Sequence, residues 1–156
     1  IDGEGRLQYA NGRVYEGGFQ DGSFHGQGKL TEPDGYSYDG EWNLGQRHGT
    51  GSTTYADGTT YEGEFANGRR EGTGKIVIPG GFAYEGAWLG GEIDGQGIAT
   101  YADGTVYEGG FSQGKRQGQG VIRYASGQEA SGQWQNGALT EEAAVEPEEP
   151  AEGTSN

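Results

Sequence analysis

Five tyrosines, Tyr15, Tyr38, Tyr61, Tyr84 and Tyr107, fall 23 residues apart with no insertion between them. Each is followed by Glu or Asp and then Gly, and a large aromatic stands four positions after it: Phe19, Trp42, Phe65, Trp88 and Phe111. The second half of each unit holds a Gly-x-Gly pair, Gly72 and Gly74 in the third, and a closing Gly. A fixed period of roughly 20–50 residues marks a chain built from stacked supersecondary units, each too small to bury its apolar face alone. Full units occupy 15–37, 38–60, 61–83, 84–106 and 107–129. Half units at 1–14 and 130–138 flank them, the latter with Ala130 in place of the Tyr.

Each unit reads as a β-hairpin. In Tyr61-Glu-Gly-Glu-Phe65 the rings alternate with charges, the period-2 pattern of a half-buried strand. Thr53 and Tyr55, then Ile76 and Ile78, repeat that alternation in second strands. Parity selects the link between units. A two-residue Asp57-Gly58 turn would pair Tyr55 with Thr60 and throw Tyr61 onto the opposite face. A three-residue Ala-Asp-Gly loop, a type I turn closed by Gly58 in the left-handed region, pairs Tyr55 with Thr59 and keeps the rings together. Pro33, at the first loop position of its unit, fits that turn. The register of the other loop, around Asn67–Gly72, stays open. The expected fold is all-β: an elongated single-layer antiparallel sheet of stacked 23-residue hairpins, about 12 strands and ~57 Å long at ~4.8 Å per strand. The Gly two residues after each Tyr is expected to face the aromatic side and let rings lie flat on backbone.

Composition agrees with a thin fold. Gly accounts for 35 of 156 residues, and Leu, Ile, Val and Phe together for 21. So little aliphatic material, at a net charge of −14, would ordinarily read as disorder. The 18 aromatics and their even spacing argue otherwise. The same scarcity excludes the thick core of a large α/β enzyme. No run reaches the 18 or so apolar residues of a membrane-spanning helix. With no Cys there are no disulfides, thiolate metal sites or Cys nucleophiles. The acidity disfavours nucleic acid and anionic lipid as default partners. The chain begins at Ile1 without a basic-then-apolar leader, so any leader lies upstream and the compartment is left open.

The pattern Tyr-Glu-Gly-x-Phe/Trp, then x-x-Gly, Gly-x-Gly and a closing Asp-Gly, at a 23-residue period, resembles the MORN (membrane occupation and recognition nexus) repeat family. It departs at Ala130, at Glu32, and at Pro79-Gly80-Gly81, without breaking the phase. The resemblance implies a twisted antiparallel sheet with a groove, used for scaffolding, dimerisation or protein binding, and no enzyme activity or cofactor in this stretch.

The aromatic face is the leading candidate site. Its expected groove residues are Tyr38, Trp42, Tyr55, Tyr61, Tyr84, Trp88, Tyr101, Tyr107, Tyr124 and Trp134, with Tyr55, Tyr101, Tyr124 and the tryptophan edges as the exposed contacts. The bland reading makes the rings one another's core. A protein or peptide partner is expected there, or a second copy bound by face or by open sheet ends. Half of the basic residues, Arg47, Arg69, Arg70, Lys115 and Arg116, cluster at one loop position and are expected to line a long edge. That edge is the alternative site, for anionic phospholipid; Glu71, Glu92 and Asp94 among them favour plain solvated loops. His25 and His48 occupy equivalent places but lack a third metal ligand. The row Glu16, Asp39, Glu62, Glu85, Glu108 offers paired carboxylates in principle, and reads more simply as a solvated ladder. Gly109-x4-Gly114-Lys115 imitates a phosphate loop, but Arg116 stands where Ser or Thr would hold Mg²⁺. Residues 139–156 form an acidic tail, expected as a short helix over 140–146 capped by Thr140, stopped by Pro147 and disordered beyond.

Overall fold

The computed structural model describes residues 2–142. They form one antiparallel meander of thirteen strands in strict chain order. The strands are β1 (Gly3–Gln8), β2 (Val14–Gln20), β3 (Ser23–Thr31), β4 (Ser37–Asn43), β5 (Gln46–Thr54), β6 (Thr60–Ala66) and β7 (Arg69–Ile78). β8 (Phe82–Leu89), β9 (Glu92–Thr100), β10 (Val106–Ser112), β11 (Lys115–Arg123), β12 (Glu129–Gln135) and β13 (Ala138–Glu142) complete it. The all-β single-layer array is therefore as expected, with one strand more than the twelve or so inferred. That strand is β13, which carries the array past residue 138 and includes Thr140, Glu141 and Glu142, the start of the expected helix. An Asn136-Gly137 turn with both φ angles positive folds it back, and Leu139 packs opposite Trp134. The rest of the expected helix and the tail beyond it lie outside the described residues.

Two connections alternate. Between units, Tyr55 N–H donates to Thr59 O at 2.8 Å and Gly58 N–H to Tyr55 O at 2.9 Å, the three-residue loop that parity required. Within units, the link is a two-residue turn with left-handed residues, such as Asn67 (φ 53°) and Gly68 (φ 81°). This geometry matches the right-handed twist of the flanking strands. Just beyond that turn the register shifts: Phe65 pairs with Arg70 and Gly63 with Gly74, so Glu64 alone faces three residues. The bulge turns on Gly72, at φ 75°.

The second Gly of the pair has a different reason to be there. The ring of Tyr61 lies directly over Gly74, and a Cβ on Gly74 would collide with the Tyr61 hydroxyl and ring. Gly63, opposite, is packed against the Gly74 backbone, with Thr73 O 2.6 Å from where its Cβ would stand. So the ring lying on backbone is each unit's own Tyr, over the adjacent strand of its hairpin.

The core is a herringbone along one face. Tyr61 meets Phe65 of its own strand edge-on at 5.1 Å and Trp88 of the next unit at 5.2 Å, while Phe65 meets Tyr38 at 5.3 Å. Each such pair is worth about 0.5–1.5 kcal/mol beyond area burial, and the series links every unit to the next. The Tyr61 hydroxyl donates to Glu64 O at 2.9 Å, satisfying the bulge carbonyl. The indole of Trp88 donates to Gly74 O at 2.9 Å. Leu30, Thr53, Ile76, Ala99 and Ile122 fill the equivalent buried position of the second strands, and Thr59 and Thr105 are buried at the loops.

Candidate functional site

Of the ten aromatic residues expected to line a groove, seven are core. Tyr38, Tyr61, Tyr84 and Tyr107 are 1% exposed or less, and Trp42, Trp88 and Trp134 between 4% and 7%. The expectation of exposed tryptophan edges is corrected here: each indole N–H is spent on a backbone carbonyl of the preceding unit (Gly28, Gly74, Gly120). Burial pushes the hydroxyls of Tyr15, Tyr61 and Tyr84 up to about 12 and that of Tyr38 higher still.

What the aromatic face offers outward is a second row of rings, at the three-residue loops. Tyr55 and Tyr101 are half-buried and Tyr124 is 44% exposed. Tyr36 and Phe82, which sequence reasoning missed, extend the row. Tyr36 tilts against Tyr55 at 5.9 Å and Phe82 against Tyr101 at 5.5 Å. The missed signal was the loop register: Tyr36 and Phe82 close their loops where Thr59 and Thr105 close others.

The basic cluster does not form one edge. Arg69 and Lys115 are exposed, but their neighbours turn onto the aromatic face. The Arg116 guanidinium lies 4.9 Å from the Trp134 ring centroid and 5.9 Å from that of Tyr101, and donates to Gly137 O. Arg47 lies over Phe65 and donates to the Tyr36 hydroxyl at 2.8 Å and to Gly68 O at 2.6 Å. Arg70 stacks on Trp88 and donates to Gly91 O. These arginines take the place held by Phe24 and Ile93 in sister units, each opposite the large aromatic of its hairpin. They fold their stems and planar heads over rings as amphipathic side chains do.

Ring row and arginines together bound a series of shallow bays. One of about 560 Å³ lies among Tyr101, Asp103, Arg116, Ile122, Tyr124 and Trp134. Another of about 420 Å³ lies beside Tyr55, Asp57 and Arg70. A third, of about 300 Å³, involves Tyr9, Arg13 and Phe24.

The carboxylate row Glu16, Asp39, Glu62, Glu85 and Glu108 is exposed along its length, and His25 has structural work. His25 Nδ1 accepts the Leu44 N–H at 3.1 Å, the role that Glu71, Asp94 and Gln117 play for later turns. Among the described residues no group of three His, Cys, Asp or Glu is placed to hold a metal ion. Outside that row, hydrogen bonds from Thr50, Thr59 and Thr105 hold the carboxyls of Glu41, Asp57 and Asp103 below their ordinary range.

The MORN repeat model matches residues 1–12, 15–35, 38–60, 61–81, 84–106 and 107–129. The chain belongs to the MORN repeat family. As a MORN array, this stretch is a non-catalytic repeat module, of a kind that mediates protein or membrane contacts. No curated protein matches it. Among solved structures it is similar to "SAS-4 (dCPAP) TCP domain in complex with a Proline Rich Motif of Ana2 (dSTIL) of Drosophila Melanogaster", at 16% identity and a TM-score of 0.52. The match covers 82% of this chain and 70% of that one, and it speaks to fold alone.

Proposed function

We propose that this MORN array holds an extended, proline-containing peptide across its aromatic face, in the bays between the loop-side rings and the arginines. The observation that carries this reading is spacing. Tyr101 and Tyr124 stand in equivalent places one hairpin apart, a step of ~9.6 Å at two strand spacings. A polyproline II segment rises ~9.3 Å per three-residue turn. Every third residue of such a peptide therefore meets an equivalent aromatic bay, and aromatic-lined grooves are what proline-rich segments dock into. The TCP domain of similar fold is described in complex with a proline-rich motif.

Fluorescence anisotropy with a labelled twelve-residue Pro-Pro-Glu repeat tests this on the full chain. Tyr101→Ala with Tyr124→Ala should weaken binding at least tenfold, and Arg69→Ala with Lys115→Ala should leave it unchanged. Equal affinity in all three proteins, or none in the parent, would remove the groove reading. Binding to anionic vesicles that is lost with Arg69→Glu and Lys115→Glu would favour lipid contact instead.

A further inference from the structure

We infer that the chain's own segment 143–156 occupies the bay at Tyr101, Arg116 and Tyr124, docked intramolecularly with Pro147 and Pro150 on successive rings. This rests on the groove reading above and names its resident occupant.

Three independent observations converge. The first is the sequence of the segment: Glu146-Pro147-Glu148-Glu149-Pro150-Ala151-Glu152 places two prolines three residues apart. That is the spacing by which a polyproline II segment advances ~9.3 Å, the step from one bay to the next.

The second is reach. β13 ends at Glu142, paired with Gly132 of β12. Pro147 lies five residues on from Glu142, a span of at most ~17 Å of extended chain. Glu142 is level with Gly132, four residues along from Gln128, which closes the loop with Tyr124, so ~13 Å along the strands and ~9.6 Å across them, ~16 Å in all, lie between Glu142 and Tyr124. With Pro147 at Tyr124, the segment runs across the strands toward Tyr101 and the N-terminal units.

The third is charge. Between positions 143 and 156 there are four acids and no base. The bay of about 560 Å³ is walled by Arg116, whose guanidinium gives Nε and one terminal nitrogen to Gly137 O and keeps its other terminal nitrogen uncommitted in the described hydrogen bonds. The bay's own acid, Asp103, accepts the Thr105 N–H on the loop wall opposite. Glu148 and Glu149, between the two prolines, fall beside Arg116. Arginine is the side chain best suited to carboxylate in such a partly desolvated site. A short linker holds the segment at an effective concentration in the millimolar range, so a weak docking suffices for occupancy.

This 156-residue chain has no cysteine, so Ala151→Cys gives it a single attachment point for a nitroxide label. Paramagnetic broadening of the Ala102, Asp103, Thr105 and Tyr124 amides is expected, unchanged on tenfold dilution and abolished by Pro147→Ala with Pro150→Ala. The same proline variant should bind the labelled Pro-Pro-Glu repeat about tenfold more tightly, because the competing segment has left. Broadening seen only in isotope-unlabelled, spin-labelled chain mixed with ¹⁵N chain would place the segment on a second copy and overturn intramolecular docking. No broadening, with the probe still bound and sensitive to Tyr101→Ala, overturns the inference and leaves the groove standing. No broadening and no probe binding removes both.

Discussion

The Arg70 guanidinium stacks 4.7 Å from the centroid of the Trp88 ring, between two hairpins, while one of its nitrogens donates to Gly91 O at 2.9 Å. A cation in this place seals the herringbone and satisfies a turn carbonyl of the next unit. The equivalent position in that unit is Ile93, so apolar bulk is tolerated there. Arg70→Ile should cost about 1 kcal/mol, mainly the stacking and the hydrogen bond. Arg70→Ala, which also uncovers ring surface, should cost about 2 kcal/mol. Urea midpoints at constant m-value order the two variants; Arg70→Ala no worse than Arg70→Ile would show that the guanidinium is a solvated passenger.

Two glycines of the same hairpin should respond differently to one methyl group. A Cβ on Gly74 runs into the ring of Tyr61, which cannot move without breaking its contacts with Phe65 and Trp88. Overpacking against so constrained a neighbour should cost Gly74→Ala about 3 kcal/mol. Gly68 has open space around its Cβ position and a φ of 81°. Gly68→Ala should therefore lose only the backbone preference, about 1–2 kcal/mol, and Gly68→Asn less than that. Equal losses at both sites would contradict the packing role of Gly74.

The rhythm of Tyr61, Phe65 and Trp88 was enough to put the rings on one face, because strand parity leaves a single loop length that keeps them together. The bulge was not legible in the same way. Glu64 facing three residues conserves side-chain parity on both flanks, so hydrophobic alternation carries no trace of it. The arginines were misplaced for a chemical reason: Arg is read by default as solvated, whereas these three place their guanidinium carbons over indole, phenyl and phenol rings. Their correspondence with Phe24 and Ile93 was present in the repeat alignment and was the signal to use. Thr140-Glu-Glu reads as a helix start by local preference, yet the Asn136-Gly137 turn and Leu139 opposite Trp134 make tertiary pairing decide. Within the site, the buried Tyr and Trp drew attention because they are periodic, while Tyr36 and Phe82 occupy a position that Thr also fills.

The buried phenols make stability fall in alkali. Tyr61 and Tyr84 ionise near 10 when unfolded and are pushed up to about 12 by burial in the fold. The folded state thus binds more protons in that window, and the stabilisation it gains is complete below pH ~10 and lost as pH rises through ~12. Urea midpoints at pH 9, 10 and 11 should decline, with the phenolate absorbance of the core tyrosines appearing only on unfolding. Tyr61→Phe should cost about 1 kcal/mol at pH 7, since the Glu64 carbonyl loses its donor. It should also decline less steeply above pH 10 than the parent. A flat profile between pH 9 and 11 would mean that the rings are more accessible to solvent than the 1% exposure of Tyr61 and Tyr84 implies.

Shortening the array tests whether the units are interchangeable or paired. Large aromatics alternate along the core, Phe19, Trp42, Phe65, Trp88, and each core Tyr meets one Phe and one Trp edge-on, as Tyr38 meets Trp42 and Phe65, Tyr15 having Phe24 stacked on it besides. Excising 38–83, two whole units, joins Ser37 to Tyr84 and keeps both strand parity and this alternation. Trp88 then stands beside Tyr15 and under the Gly28 carbonyl, as Trp42 does in the intact chain at 5.7 Å and 3.0 Å. Such a chain should fold with four strands fewer and a urea m-value lower by roughly a third, since m follows the surface exposed. Excising 61–83 alone also keeps parity but sets Trp42 and Trp88 on either side of Tyr38, where a Phe now fits. The extra ring atoms should cost about 1–3 kcal/mol by overpacking, so the longer of the two shortened chains should be the less stable per unit. If the single-unit excision proves as stable per unit as the double, the alternation of Phe and Trp carries no packing information.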